Sequence, residues 1–267
     1  MALKRLTEIY NQIEKNKQEL EFMPTGFDDM DKFLDGGFLR KELVVLGAST
    51  GIGKSYVAGQ ITMHIASKGF NCAYFSLEIS NQMVVSRMVG SIANIKPIRV
   101  MCGFLTREEF ENKTKAKAQL SLSETYLNFY DDVYEYAEIS KEIKEKKFEF
   151  IVVDFIQNVV NLGMDEYSRL SYVALELQKL AKETNSCILV LSQLSNMIAR
   201  DKKLTSVEYK GSGSIATVAD LCFVLQREED WSKGDSNKVK ILLRKNRRGI
   251  SGQMWEYTFI QPGGLIK

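Results

Sequence analysis

Histidine is almost missing from this chain of 267 residues, with His64 alone. Histidine-centred catalysis has little to work with, and His64, inside a helical run, reads as a packing residue. Cysteine is sparse too. Cys72, Cys102, Cys187 and Cys222 are far apart and three lie in apolar runs. That leaves no zinc spacing and suggests the buried, reduced thiols of a cytosolic protein. No apolar run approaches the roughly 20 residues that span a bilayer, and the charged N-terminus does not resemble a signal peptide, so no membrane partner is expected. Net charge is scant at +2, so a nucleic-acid surface has to be local rather than global. What the chain has is a hydrophobic content of 45%, enough for a large core in one α/β unit with a short extension.

One stretch organises the rest: VVLGASTGIGKS, Val44 to Ser55. Leu43 to Leu46 reads as a buried strand. A glycine loop follows, then Lys54, Ser55 and the helical run YVAGQITMHIASKG. Strand, glycine loop, Lys-Ser and helix form the order of a phosphate-binding P-loop. Gly51 and Gly53 allow backbone angles and close approaches that a side chain obstructs. Backbone N–H groups then converge at the positive end of the helix. Ser49, Thr50, Gly51, Ile52, Gly53, Lys54, Ser55 and Tyr56 are the expected nucleotide contacts, with Lys54 for the β- and γ-phosphates and Ser55 for Mg²⁺. The usual first glycine is replaced by Ala48, with Gly47 just before it.

Spacings of three and four among Leu6, Ile9, Tyr10, Ile13 and Leu20 predict an amphipathic helix, packed on its own core or on another surface. Asp28 to Leu34 is a short helix ended by Gly36-Gly37. Cys72 to Ser76 is a second strand, ending near Glu78. That carboxylate is either a base for polarising water, since it faces the crevice of an open sheet, or an ordinary charge at a helix start. Asn81 to Ile95 reads as helix, and Thr106 with Glu109 forms a capping box. Glu108 to Lys147 holds two helices around a strand near Tyr126 to Tyr130, with a solvated charged face. Ile151 to Val153 delivers Asp154 in the form of a Walker B element, suited to orienting the Mg²⁺ shell opposite Ser55. Asn161 to Arg169 reads as loop and Leu170 to Glu183 as helix. A fourth strand delivers Ser192 and Gln193. Ser195 to Ser214, with Arg200, Lys202, Lys203 and Lys210, is a basic loop that either contacts nucleic-acid phosphates or is merely exposed. A fifth strand covers ADLCFVLQRE. Two more flank a turn at Asn246 to Gly252, beside Arg244, Lys245, Arg247 and Arg248. So many cations on one turn are not expected to serve folding. They suit phosphates across a subunit boundary, or nucleic acid.

GASTGIGKS, FSLE, IVVDFIQ, VLSQLSN, GSGSIATVAD and RKNRRG, in that order, resemble the ATPase domain of DnaB-type hexameric replicative helicases, from about Thr25 to Phe259. The resemblance implies an α/β, RecA-like P-loop core: a twisted, mostly parallel sheet flanked by helices, with a C-terminal β-hairpin. It divides the chain into an N-terminal linker helix, 1–23, and the ATPase domain, 24–267. It implies ATP and Mg²⁺ as cofactors, single-stranded DNA as partner, a hexameric ring, a primase, a loader, and 5′–3′ unwinding. Lys54 and Ser55 bind phosphate and metal, Asp154 supports the metal, Glu78 activates water, and Gln193 senses the γ-phosphate. Lys245 and Arg247 match trans-acting fingers. Lys210, Gly211 and Gly213 match the DNA loop, although the family has an acidic residue where Gly211 stands. The helix at Leu3 to Leu20 takes the place of the linker that docks on a neighbouring subunit. The family's amino-terminal collar domain is not among these residues, as expected of an excised domain or a naturally short form from a phage or mobile element. A RecA/RadA-like or KaiC-like ATPase is the competing reading, and the SLE and SGSI segments favour the helicase.

Overall fold

The computed structural model describes residues 5–16, 21–194, 214–227, 237–260 and 264–266. In chain order the elements are α1 (Leu6–Asn16), β1 (Phe22–Met23), α2 (Asp28–Phe33), β2 (Phe38–Leu39), β3 (Leu43–Ala48), α3 (Lys54–Ser67), β4 (Cys72–Ser76), α4 (Asn81–Ala93), α5 (Pro97–Cys102), α6 (Arg107–Ser121), β5 (Leu127–Tyr130) and α7 (Tyr136–Lys146). They continue with β6 (Phe150–Asp154), α8 (Glu166–Thr184), β7 (Cys187–Gln193), α9 (Ser214–Val218), β8 (Leu221–Arg227), β9 (Lys238–Asn246), β10 (Met254–Ile260) and β11 (Gly264–Ile266).

The main sheet has the order β11-β10-β9-β8-β3-β7-β6-β4-β5. The stretch from β8 to β5 is parallel, and β9, β10 and β11 add antiparallel. Parallel strands need helical crossovers on both faces, so their side chains are buried on both sides. Strand β3 shows this residue by residue. Val44, Leu46 and Ala48 join the core beneath α3, where Val57, Ala58, Ile61 and Ile65 pack. Leu43 and Val45 join the opposite core, beneath Ile139 and Ile143 of α7 and the Leu170, Val173, Leu177, Leu180 stripe of α8. A smaller cluster of Val89, Ile95, Val100 and Ala116 ties α4 to α5 and α6.

Most expected elements form where their patterns place them. The Thr106–Glu109 capping box is complete. His64 packs against Gly26, where a Cβ would lie 2.8 Å from the ring, and burial lowers its pKa. Cys72, Cys187 and Cys222 are buried thiols and Cys102 is exposed. The amphipathic face of α1 is not covered by its own core: Leu6, Ile9, Tyr10 and Ile13 are all exposed. Leu20 lies outside the described residues, as do Arg200, Lys202 and Lys203. None of the described helices is long and apolar enough to cross a membrane.

The expected loop at Asn161 to Arg169 is corrected. Helix α8 already begins at Glu166, because the Asp165 carboxylate accepts the Ser168 N–H at 3.1 Å and caps it. The helix from Asn81 stops at Ala93 rather than Ile95, since Asn94 turns left-handed at φ 58°. Strands β1, β2 and β11 and helix α5 add to the elements expected from the sequence.

Candidate nucleotide site and finger turn

Parallel strands present their C-terminal ends to one crevice, and the chemistry-bearing residues collect there. Strand β3 ends at Ala48, whose methyl is fully buried in the core, so alanine suits the place of the usual glycine. Gly51 and Gly53 take φ values of 80° and 113°, which turn the loop into α3. Among the described residues, helix α3 has no side-chain cap and no acidic residue in its first turn, leaving its first N–H groups for an anion. The Lys54 ammonium lies over the loop, donating to Ala48 O at 3.0 Å and Ser49 O at 3.1 Å. Burial lowers its pKa, and the charges of Asp154 and Glu78 oppose that shift.

Asp154 ends β6, level with Ser76 of β4, and is 1% exposed. The Tyr74 hydroxyl donates to its Oδ2 at 2.8 Å. Burial raises its pKa, hydrogen bonds from Tyr74 and Ser55 pull it down, and the Glu78 charge raises it further. Glu78 itself is exposed just past β4. Its turn is pinned by Leu77 N–H donating to Asp154 O at 2.7 Å and by Asn158 Nδ2 donating to Leu77 O at 2.9 Å. Gln193, ending β7, donates through Nε2 to Thr50 Oγ1 at 2.5 Å, joining strand end and P-loop. Tyr56 packs edge-on against Phe259 at 5.4 Å, with the Arg87 guanidinium 5.2 Å over its ring. Ile52 packs against the same core.

The fit to a Mg²⁺–nucleotide can be tested on the donor set. Two buried oxygens, Ser49 Oγ and Asp154 Oδ1, have no hydrogen-bond partner among the described residues. Buried polar atoms are almost always satisfied, so such orphans beside a P-loop match a phosphate and a hydrated cation. Among the described residues no cluster of three His, Cys, Asp or Glu side chains could hold a metal unaided. A cation completed by phosphate oxygens, with Ser55 and Asp154, fits that composition.

Sequence reasoning passes over Gln157. Its Nε2 donates to Ser192 Oγ at 3.0 Å, and its Oε1 accepts the Gln193 N–H at 3.3 Å. Arg169 in turn donates to Gln157 O at 3.2 Å and Val159 O at 3.0 Å. The available signal is the polar end of IVVDFIQ, just past a buried strand. Tyr74 has no such signal, because a tyrosine in an apolar strand reads as core.

The finger turn lies elsewhere. Lys245 pairs with Cys222 of β8, and Leu221 pairs with Val44 of β3. Lys245 and Arg247 therefore sit level with the start of β3, whereas the P-loop follows its end. Val44 to Ala48 alone is about 13 Å at 3.3 Å per residue. The hairpin is not the sheet's last element, since β11 lies beyond it. The expectation that the cations of this turn do not serve folding is overturned. Lys245 Nζ donates to Ala216 O at 2.8 Å and Thr217 O at 2.7 Å. Arg247 pairs with Asp220 Oδ1 at 2.9 Å and donates to Thr217 O at 3.0 Å. Arg248 donates to Leu34 O at 3.1 Å and Gly37 O at 2.9 Å, and its Nε lies 2.8 Å from Glu42 Oε1. A backbone carbonyl or a carboxylate remote in sequence accounts for these three, Lys245, Arg247 and Arg248. Lys210, Gly211 and Gly213 lie outside the described residues.

The family model for the DnaB-like helicase C terminal domain matches residues 23–261. The chain is 30% identical over 271 aligned residues to the replicative DNA helicase DnaB of Geobacillus stearothermophilus, covering 96% of this chain and 59% of that protein. It is 30% identical over 262 residues to the replicative DNA helicase DnaC of Bacillus subtilis (strain 168), covering 92% and 57%. The chain thus spans less than two thirds of these relatives. Among solved structures, a DnaB-like replicative helicase shares the fold at a TM-score of 0.85 and 18% identity, with 99% of this chain and 67% of that one covered. A KaiC-like protein from Pyrococcus horikoshii OT3 shares it more loosely, at 0.63 and 20%, with 92% and 98% covered. With its helicase-like motifs in order and nearly the whole chain matched, this protein belongs to the DnaB-like helicase C-terminal domain family.

Proposed function

We propose that this chain is the ATP-hydrolysing motor of a replicative DNA helicase, acting as a hexameric ring on single-stranded DNA in the cytoplasm of a bacterial or phage-infected cell. The observation that carries the reading is the convergence of P-loop, Glu78, Asp154 and Gln193 at the C-terminal ends of neighbouring parallel strands. Family membership supports the helicase reading over a KaiC-like assembly, whose likeness extends to the fold. Bound Mg²⁺–ATP supplies an activated γ-phosphoryl group. The residues divide the remaining work. Lys54 and the first N–H groups of α3 bind the phosphates. Ser55 and Asp154 hold the metal. Glu78, exposed at the crevice, takes a proton from the attacking water. Gln193, tied to Thr50, links the occupied P-loop to the segment that follows β7, where Lys210, Gly211 and Gly213 would meet the DNA backbone. A primase partner is proposed by analogy with the DnaB-like replicative helicase above, whose solved structure describes its interactions with primase. A helicase loader is proposed on the same family basis.

Lys245 and Arg247 lie at the other end of the sheet from their own P-loop, which supports action on a neighbour's nucleotide. The test is complementation. Lys54→Ala and Arg247→Ala are each expected to be nearly inactive in DNA-stimulated ATP hydrolysis, an arginine finger being worth about 10³–10⁵ in rate. Their mixture should regain activity, because some interfaces pair an intact P-loop with an intact finger. A dead mixture, with turnover per chain independent of protein concentration, sinks the trans assignment. Normal turnover by Lys54→Ala sinks the P-loop assignment.

A further inference from the structure

Tyr74 sits in the middle of β4 and is fully buried. Its neighbours across the sheet are Val152 and Phe129. An aliphatic residue would fill that space without bringing a hydroxyl into the core, where an unpaired one costs free energy. The hydroxyl is not unpaired. Side chains alternate along a strand, so Tyr74 shares a face with Ser76, and Ser76 is level with Asp154. The phenol extends along that face and donates to Asp154 Oδ2 at 2.8 Å. The Ser55 hydroxyl is close enough to the same pair to lower the pKa of both. The other carboxylate oxygen, Oδ1, is buried and has no partner among the described residues. One oxygen of the Walker B carboxylate is therefore committed to the protein and the other left as a free acceptor.

We propose that Tyr74 is a positioning residue for the metal site: its phenol fixes the Asp154 carboxylate so that Oδ1 is presented to the water shell of Mg²⁺. Partners of this kind orient ligands around metals, and their loss commonly weakens metal affinity by about 10–100-fold. The inference rests on the Mg²⁺–ATP reading above. Without the phenol, Asp154 is free to turn either oxygen toward Ser55 or Lys54, and Mg²⁺ has to select the productive orientation from several.

Equilibrium binding of a fluorescent ATP analogue to the whole chain, titrated with Mg²⁺, tests this. Tyr74→Phe should raise the Mg²⁺ concentration for half-maximal gain in affinity by about tenfold or more. Affinity measured in EDTA should stay within about twofold of wild type, which a general loss of packing would not allow. Asp154→Asn should raise the midpoint as well, and adding Tyr74→Phe to it should bring no further shift, because both act through one carboxylate. Should Tyr74→Phe fold poorly, Tyr74→Met offers a flexible apolar filler and should give the same shift. A midpoint unchanged in these variants overturns the role of Tyr74, as does a shift that persists in full beside Asp154→Asn. A wild-type chain whose affinity ignores Mg²⁺ would instead overturn the metal reading on which the inference stands.

Discussion

Arg248→Ala should destabilise this protein far more than the loss of a surface arginine. Its guanidinium closes three connections at once: Leu34 O and Gly37 O, at the end of α2, and the Glu42 carboxylate that precedes β3. Glu42 is 8% exposed, and it also accepts the Leu39 N–H at 2.9 Å. Removing the arginine leaves a buried carboxylate without its counter-charge. Breaking one side of a buried pair costs about 3–5 kcal/mol. Arg248 keeps 22% of its side chain exposed, so water can partly replace it and the low end, about 3 kcal/mol, is expected. In a domain of this size that lowers the thermal midpoint by roughly 6–12 °C. The sign of the pH dependence follows from Glu42. Burial already raises its pKa above the ordinary 4.5, against the pull of Arg248 and Leu39 N–H. A carboxyl whose folded pKa is raised withdraws stability as pH climbs from the unfolded value through the folded one. Without Arg248 that pKa rises further. The deficit of the variant should therefore be smallest below pH 4.5 and grow toward neutrality. Urea unfolding at several pH values reads this directly, and Arg248→Ala with Glu42→Gln should recover part of the loss at neutral pH. A midpoint equal to wild type, or a deficit indifferent to both pH and Glu42→Gln, would refute the argument.

Two further predictions concern turnover. Glu78→Gln should leave nucleotide binding nearly intact and slow steady-state hydrolysis by about a hundredfold or more, as for a lost general base; unchanged turnover would make Glu78 a surface charge. Gln157→Ala should lower DNA stimulation of hydrolysis more than basal hydrolysis, since Gln157 holds Ser192 and the Gln193 N–H rather than the P-loop itself. Equal losses in both rates, measured with and without single-stranded DNA, would count against that role.

What can be read from the residues is what is local. The P-loop is contiguous, and its strand, glycines and helix each carry their own pattern. Asp154 is legible because an apolar run leads straight into a carboxylate. Thr106 and Glu109 are legible because a capping box closes within one helical turn. Asp165 carries the same kind of signal at α8, but the polar run before it masks the cap. Pro97 at the first turn of α5 and Gly103 just after its end are also helix punctuation, on an element too short to show periodicity. Arg248 is illegible for a different reason. Its partners at Leu34 and Gly37 lie 214 and 211 positions away. A turn rich in cations resembles a solvated surface until those carbonyls are brought beneath it. Tyr74 shares that difficulty, because its hydroxyl has meaning only beside a strand that pairs with it in space.

The finger turn poses an energetic question, since Arg247 is engaged with its own chain. In the isolated protomer it pairs with Asp220, which also accepts the Leu43 N–H at 2.9 Å. Acting on a neighbour, as proposed, requires Arg247 to leave that partner. The guanidinium is 44% exposed, so the pair is worth no more than about 1 kcal/mol in water. Its hydrogen bond to Thr217 O adds about 1 kcal/mol. Asp220 does not become an orphan on release, because the Leu43 N–H remains bonded to it. Against this, a finger that accelerates hydrolysis by about 10³–10⁵ stabilises the transition state by about 4–7 kcal/mol. The transition state therefore wins over the resting contact by several kcal/mol. The same contact ties Arg247 to the carbonyl end of α9, which follows the segment carrying Lys210. Under the proposed function, release of Arg247 would free the Thr217 carbonyl and the Asp220 carboxylate together, so engagement of a neighbour's γ-phosphate would be felt at α9.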